Sequence, residues 1–419
     1  MFFLGLLYER LTLDICVMTR LRILILLTFI ESFAAILGER GIYFYARQYL
    51  QFADWMNLWL SLTIGLGYIC GAMLSHRASS RWGERSVLLG TIFIQCMMNL
   101  LLAHVQETML FLTLNFVLAM ATGMKWPVIE SYVSAGLNPK SVSKALGHFN
   151  ITWAIAVPVA IIAAGYLIDR SSTGLFYLGA GINIISIFVS LKLEKKPVHL
   201  TQDHPDRLPE HELKRYKAMC TCARWNLVSS YTLMFVLAPL APSIAEKLGY
   251  HTALGGTILM SLMEIMRVVA FIILQTNTRW HGRPSPLVIS SILVPISCAM
   301  VLFGDNLPVV LIGQFIFGAA CGVVYYAAIY YAMVTHNASV DAGGFHEALI
   351  GGGFALGPAI GLIGVSLQGP LGGQLPGMMT ALGPMAAVCL LAGFVPVIKM
   401  RQWKHPVADD PLENNHSDR

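Results

Sequence analysis

Charge is what this chain has least of. Only 12% of its 419 residues are Asp, Glu, Lys or Arg, about half the share of a typical soluble domain. That is too little to cover a soluble surface of this size. It excludes an ordinary cytosolic enzyme, a nucleic-acid binder and a disordered chain. The net charge of +5 is too small to point to a polyanionic partner. There is no phosphate-binding P-loop, no G-x-G-x-x-G after a strand and no H-E-x-x-H, so ATP-driven transport and membrane protease chemistry have no support. Met1–Leu13 is apolar but short, carries Glu9 and Arg10 and lacks a small-residue cleavage site, so it does not read as a signal peptide. It reads as an interfacial helix, or else translation begins at Met18. Cysteine is sparse, and most of the eight lie inside apolar runs, where a free thiol behaves as a small hydrophobe. Cys220 and Cys222 form a C-x-C near His199, His204 and His211, but the spacing matches no strong zinc pattern and free thiols are expected.

Apolar sequence is abundant instead. Hydrophobic residues make up 56% of the chain, and the mean hydropathy is +0.64. A bilayer core about 30 Å thick takes roughly 20 apolar residues per helix. Twelve such runs stand between charge or turn clusters: 23–47, 54–75, 86–104, 109–135, 143–168, 174–192, 224–246, 253–275, 286–304, 307–334, 344–367 and 376–398. The Gly and Pro inside several of them are tolerated in membranes better than in soluble helices. Lys and Arg sort across these spans. With both termini cytoplasmic, 22 of the 28 fall on inner segments, and only Arg47, Arg170 and Lys247 on outer ones. This is the positive-inside asymmetry of a polytopic membrane protein. The expected fold class is therefore all-α, with twelve transmembrane helices, in the plasma (inner) membrane.

The longest polar stretch, Lys192 to Arg224, follows the sixth span and divides the chain six plus six. The expected organisation is an N-terminal segment 1–22, a six-helix bundle 23–192, a cytoplasmic central loop 193–223, a second six-helix bundle 224–398 and a cytoplasmic tail 399–419. The halves echo each other. Ala121-Thr122-Gly123 stands 199 residues before Ala320-Cys321-Gly322, and Pro158 stands 200 before Pro358. A duplicated unit places the substrate path between the halves.

After the second span comes Ser80-Arg81-Trp82-Gly83-Glu84-Arg85. This resembles the loop signature Asp-Arg-x-Gly-Arg-Arg of the major facilitator superfamily, matching at Arg81, Gly83 and Arg85, with Ser80 and Glu84 as departures. Together with the topology, the resemblance covers roughly residues 20–400. It implies two pseudo-symmetric six-helix bundles whose first, fourth, seventh and tenth helices line a central cavity. The implied roles for Arg81, Gly83 and Arg85 are a tight turn and basic side chains that pair across the halves or cap helix ends. Gly344, Gly353, Gly357, Pro358 and Gly361 in the eleventh span resemble a drug-antiporter motif that belongs in the fifth. Close helix packing explains them better.

Ionisable residues inside spans are costly and face the interior. The first span carries Glu31 and Glu39, about 80° apart around the helix, followed by Arg40 and Tyr43. Glu31 or Glu39 is the expected proton carrier. The fourth carries Lys125-Trp126-Pro127 and Glu130, where Lys125 suits an anionic group or a carboxylate that substrate displaces. The eighth carries Glu264 and Arg267 at i,i+3, a self-neutralising pair. His148, Asn150, His346 and Glu347 fall near helix ends and read as gating or solvated residues. In the tenth span, Tyr326 and Tyr330 share a face and suit stacking on a solute; helix packing is the competing reading.

These observations imply a secondary transporter of a small organic solute, working by alternating access and not an enzyme. Lys125, Trp126, Tyr326, Tyr330 and Tyr43 are its expected substrate contacts. Arg40, Arg81, Gly83, Arg85, Glu130, Glu264 and Arg267 are the gating or structural charges and turn. An anionic or zwitterionic solute is favoured, with a proton as coupling ion, the lipid bilayer as surroundings, a monomer, and no cofactor, metal or nucleic acid. The rival readings are a lipophilic-cation efflux antiporter, a uniporter, a sensor or scaffold on a transporter fold, and a membrane-embedded enzyme.

Overall fold

The computed structural model describes residues 2–135, 137, 139–197, 210–335 and 340–367, with scattered positions between 377 and 398. Among these residues the only regular elements are helices: α1 (Phe2–Glu39), α2 (Gly41–Tyr49), α3 (Asp54–Trp82), α4 (Glu84–Leu102), α5 (Thr108–Ser134), α6 (Pro139–Arg170), α7 (Gly174–Ser190), α8 (Glu210–Lys247), α9 (Ala253–Thr276), α10 (Ser285–Phe303), α11 (Leu307–Thr335) and α12 (Val340–Leu367), plus a 3-10 turn at Thr278–Trp280. Ten helical segments are long and apolar enough to cross a membrane, and Gly174–Ser190 is a shorter apolar helix. These match the first eleven expected spans. The twelfth, 376–398, and the tail 399–419 lie outside the continuously described residues.

Two elements depart from the sequence expectation. The first span is broken at Arg40, which separates α1 from α2, although the Arg40 amide still donates to Ile36 at 3.0 Å. α8 begins at Glu210, inside the stretch that reads as a central loop. Consequently Cys220 and Cys222 are buried on a helix. His199 and His204 lie outside the described residues.

The arrangement is apolar outside and polar within, as lipid requires. Phe188, Met109, Ile273 and Ile363 are exposed, whereas Asn57, Gln95, Asn99, Asn183 and Gln314 are buried. Helix ends are tied down locally. Glu107 caps α5 by accepting from the Met109 and Leu110 amides at 2.8 and 2.6 Å. Those bonds, the Leu110 one first, hold its carboxyl below the ordinary carboxylate range. Arg20 donates to the carbonyl of Ala135 at the far end of α5, 2.6 Å away. Gly83 joins α3 to α4 at φ 82, a conformation that side chains other than glycine rarely adopt. Arg85 beside it donates to the Leu193 carbonyl beyond α7 at 3.0 Å. Arg81 is exposed, with its guanidinium 5.6 Å from the Trp82 ring.

The first bundle is built from α1–α7 and the second from α8–α12. They meet chiefly along two crossings, α3 on α12 and α6 on α9. Each crossing holds a glycine where the two backbones come close. A Cβ at Gly65 would lie 2.5 Å from the Ala355 nitrogen, and one at Gly165 would lie 2.8 Å from Leu254 Cα. The backbones touch there, as small residues permit in lipid. Gly65→Val is expected to destabilise the folded protein by about 1–3 kcal/mol through overpacking. Thermal unfolding in detergent checks this, and an unchanged Tm would remove the glycine contact as a constraint.

Candidate functional site

The break in the first span delivers Glu39 and Arg40 to a cavity of about 640 Å³ of free space between the bundles. Trp126 and Glu130 of α5, Tyr68 of α3 and Trp153 of α6 also line it from the first bundle. Tyr231, Met234 and Phe235 of α8, Arg267 of α9, Tyr325 of α11 and Glu347 and Phe354 of α12 come from the second. Tyr325 anchors the aromatic wall. Its ring centre is 4.9 Å from Trp153, 6.1 Å from Tyr231 and 5.8 Å from Phe271.

Two guanidinium groups converge on one sulfur in this cavity. The Arg267 Nη2 donates to Met234 Sδ at 2.9 Å and the Arg40 Nη2 at 3.6 Å. Arg267 is also held by Glu264 one helical turn away, with Nη1–Oε2 at 2.9 Å. Arg40 has no carboxylate within ion-pair distance among the described residues. Its guanidinium lies over the Phe235 ring at 4.6 Å, and its Nε has no hydrogen-bond partner among the described residues. A thioether is a weak acceptor, so the positive charge here is incompletely matched.

Lys125 does not line the cavity. Its ammonium sits 4.9 Å from the Trp126 ring, which does line it. Lys125 is fully buried and donates to Glu31 Oε2 at 2.5 Å and to Gln95 Oε1 at 3.1 Å. Asn183 donates to the other Glu31 oxygen at 3.3 Å and accepts from Asn99 at 3.1 Å, while Gln95 donates to Thr122 at 2.7 Å. The network joins α1, α4, α5 and α7, all within the first bundle. Glu130 is far from partnering Lys125. It hydrogen-bonds the carboxyl group of Glu347 across the bundle interface, and the Tyr68 hydroxyl donates to Glu347 as well. His346 and Glu347 are buried, not solvated.

Three tyrosines expected at the solute lie elsewhere. Tyr326 donates to Gln275 Oε1 at 2.5 Å, and Tyr330 stacks on His281 with ring centres 4.4 Å apart. Both brace the connection between α9 and α10, the packing role that competed with solute stacking. Tyr43 is buried against Ser61 and lines no part of the cavity. Tyr325 is the cavity residue because one step along a helix turns the side chain by about 100°. Tyr68, Tyr231 and Met234 also line the cavity without standing out in sequence, since a lone tyrosine or methionine in an apolar run carries no distinguishing pattern.

Burial pushes the His281 imidazole down from its ordinary 6.5 to about 4. Its folded-state affinity for a proton is thus below that of the unfolded chain, so stability falls as pH drops through this window. Thermal melts between pH 7 and pH 4 are expected to show that decline, and His281→Phe to flatten part of it. In the polar network, Glu31→Gln leaves the Lys125 charge buried without its counter-ion. The expected loss is about 3–5 kcal/mol, largely regained when Lys125→Met is added. Equal melting of wild type and the single variant would contradict the pair's structural role.

A profile of the Major Facilitator Superfamily matches residues 33–361. No curated protein sequence matches. Among solved structures, the human organic anion transporter MFSD10 aligns with a TM-score of 0.61 at 12% identity, covering 90% of this chain and 98% of that one. The nucleoside transporter NupG aligns at 0.63 and 15%, covering 90% and 99%. The E. coli fucose:proton symporter FucP aligns at 0.62 and 12%, covering 91% and 99%. At these identities the likeness to solved structures speaks to the fold alone.

Proposed function

The chain belongs to the major facilitator superfamily and is a membrane transporter, not an enzyme; we propose that it moves a small organic anion or zwitterion by alternating access. The meeting of Arg40 and Arg267 at Met234 carries this reading. A carboxylate or similar anionic group at the position of that sulfur would receive charge-assisted bonds from both guanidinium groups. Trp126, Trp153, Tyr231 and Tyr325 would hold the solute's apolar or ring portion. Lys125 acts behind Trp126 as a positioning residue.

The coupling ion is a proton in this reading, and Glu39 is its carrier. Glu39 lines the same cavity, and its Oε1 has no hydrogen-bond partner among the described residues. Glu31, committed to Lys125, supports it within the network.

Alternating access requires contacts between the bundles that break at each end in turn. At the end holding the α2–α3 connection, Arg47 makes a bidentate pair with Glu246 at 3.1 and 2.8 Å, and Ser243 donates to Asp54. Asp169 of α6 accepts from the Ala253 and Leu254 amides at the start of α9, both at 2.9 Å. Toward the opposite end, Glu347 receives Tyr68 and bonds Glu130. That opposite end carries Arg81, Gly83 and Arg85, and the positive-inside count assigns it and both termini to the cytoplasm.

A thermal-shift panel of organic anions, zwitterions, sugars, nucleosides and lipophilic cations tests the reading on purified protein. One anionic or zwitterionic class is expected to raise the Tm, and Arg40→Ala to weaken its binding about 10–100-fold. Stabilisation by lipophilic cations alone would favour the efflux reading, and pH-independent flux in liposomes a uniporter.

A further inference from the structure

We propose that Glu130, His346 and Glu347 form a binding site for a divalent transition-metal ion that bridges the two bundles. One nitrogen and two carboxylate oxygens from these residues lie within 4.8 Å of one another, and all three side chains are buried. Ligands at about 2.0–2.2 Å from a common ion stand up to about 4.4 Å apart, so a small inward movement completes the set.

The histidine distinguishes this cluster from a simple pair of acids. Glu130 and Glu347 approach each other across the interface, and His346 stands within 4.8 Å of both. The His346 ring meets Tyr325 edge-on at 5.4 Å, and among the described residues neither ring nitrogen has a hydrogen-bond partner although the residue is fully buried. An orphaned buried polar group is costly. A metal ion among the three would satisfy the nitrogen and both carboxylates at once.

The surroundings are built for such a site. Gly343 lies one turn before Glu347 on the same face of α12, and a Cβ there would stand 2.8 Å from Glu130 Oε2 and 3.2 Å from Pro127 Cα. The missing side chain gives Glu130 of α5 its passage to α12. Tyr68 orients Glu347 by donating to it, the kind of outer support that ligating carboxylates have. An imidazole with two carboxylates favours Mn²⁺, Fe²⁺, Co²⁺ or Zn²⁺ over Ca²⁺ and Mg²⁺. Three protein ligands leave coordination positions open, and Glu130 and Glu347 both face the cavity. The ion would tie α5 of the first bundle to α12 of the second.

The test uses chelator-treated full-length protein and the metal alone, with no solute, so its failure leaves the anion reading untouched. Co²⁺ is expected to give visible ligand-field bands and to raise the Tm, as are Mn²⁺ and Zn²⁺ for the Tm, while Mg²⁺ does neither. His346→Ala and Glu347→Gln are expected to lose about 100-fold in affinity, and Tyr68→Phe about 10-fold. Pulsed electron paramagnetic resonance on wild type loaded with Mn²⁺ is expected to resolve a coupled nitrogen, which holds even if a variant does not fold. The proposal is overturned by an absence of stabilisation with all three metals, by an all-oxygen Mn²⁺ signal, or by binding that survives both ligand substitutions unchanged.

Discussion

A charge surrounded by hydrocarbon has to find its counter-charge inside the protein, and the interior of this molecule is organised around that demand. Lys125 meets Glu31, and Arg267 meets Glu264, both pairs nearly or wholly out of contact with solvent. Each is locked by further contacts, Gln95 and Asn183 for the first and Met234 for the second. The pairs differ in location. The first is confined to one bundle and stiffens it, whereas the second stands at the wall of the cavity. Arg40 is the exception that gives the cavity its character, because it faces a thioether and an aromatic ring in place of a carboxylate.

The two bundles are joined by contacts of two physical kinds. Along α3–α12 and α6–α9 the backbones approach through glycines, with aromatic pairs such as Tyr68–Phe354 and Trp153–Phe271 packed beside them. Toward the ends the contacts are polar and countable: Arg47 with Glu246, Asp169 with the start of α9, Glu130 and Tyr68 with Glu347. Close backbone approach at the crossings and a few exchangeable polar bonds toward the ends suit rigid halves that rock about a central site.

Much of this was legible in the sequence. Hydropathy located the spans, because a bilayer sets the length of a helix whatever its neighbours are. The basic loops located the two ends, and Gly83 marked a turn that its positive φ explains. Of the ionisable residues inside spans, Glu39, Arg40, Glu130 and Arg267 line the cavity. Their partners were not legible. Nothing along the chain says that Lys125 meets Glu31 across 94 residues, or that Glu130 reaches Glu347 on the other bundle. The tyrosines of α11 show how narrow the margin is, as the solute-facing choice fell on Tyr326 and Tyr330 whereas Tyr325 lines the cavity.

The sequence alone determined that this is a polytopic membrane protein of two similar halves, because the energies of transfer into lipid and of moving charge across it accumulate residue by residue along the chain. Only the tertiary structure decided which buried charges are satisfied, which face open space, and which side chains from α5 and α12 come together. Those outcomes depend on helix rotation and on the closeness of approach at a few glycines. A change of one position turns a side chain by about 100° and exchanges a cavity wall for a packing contact.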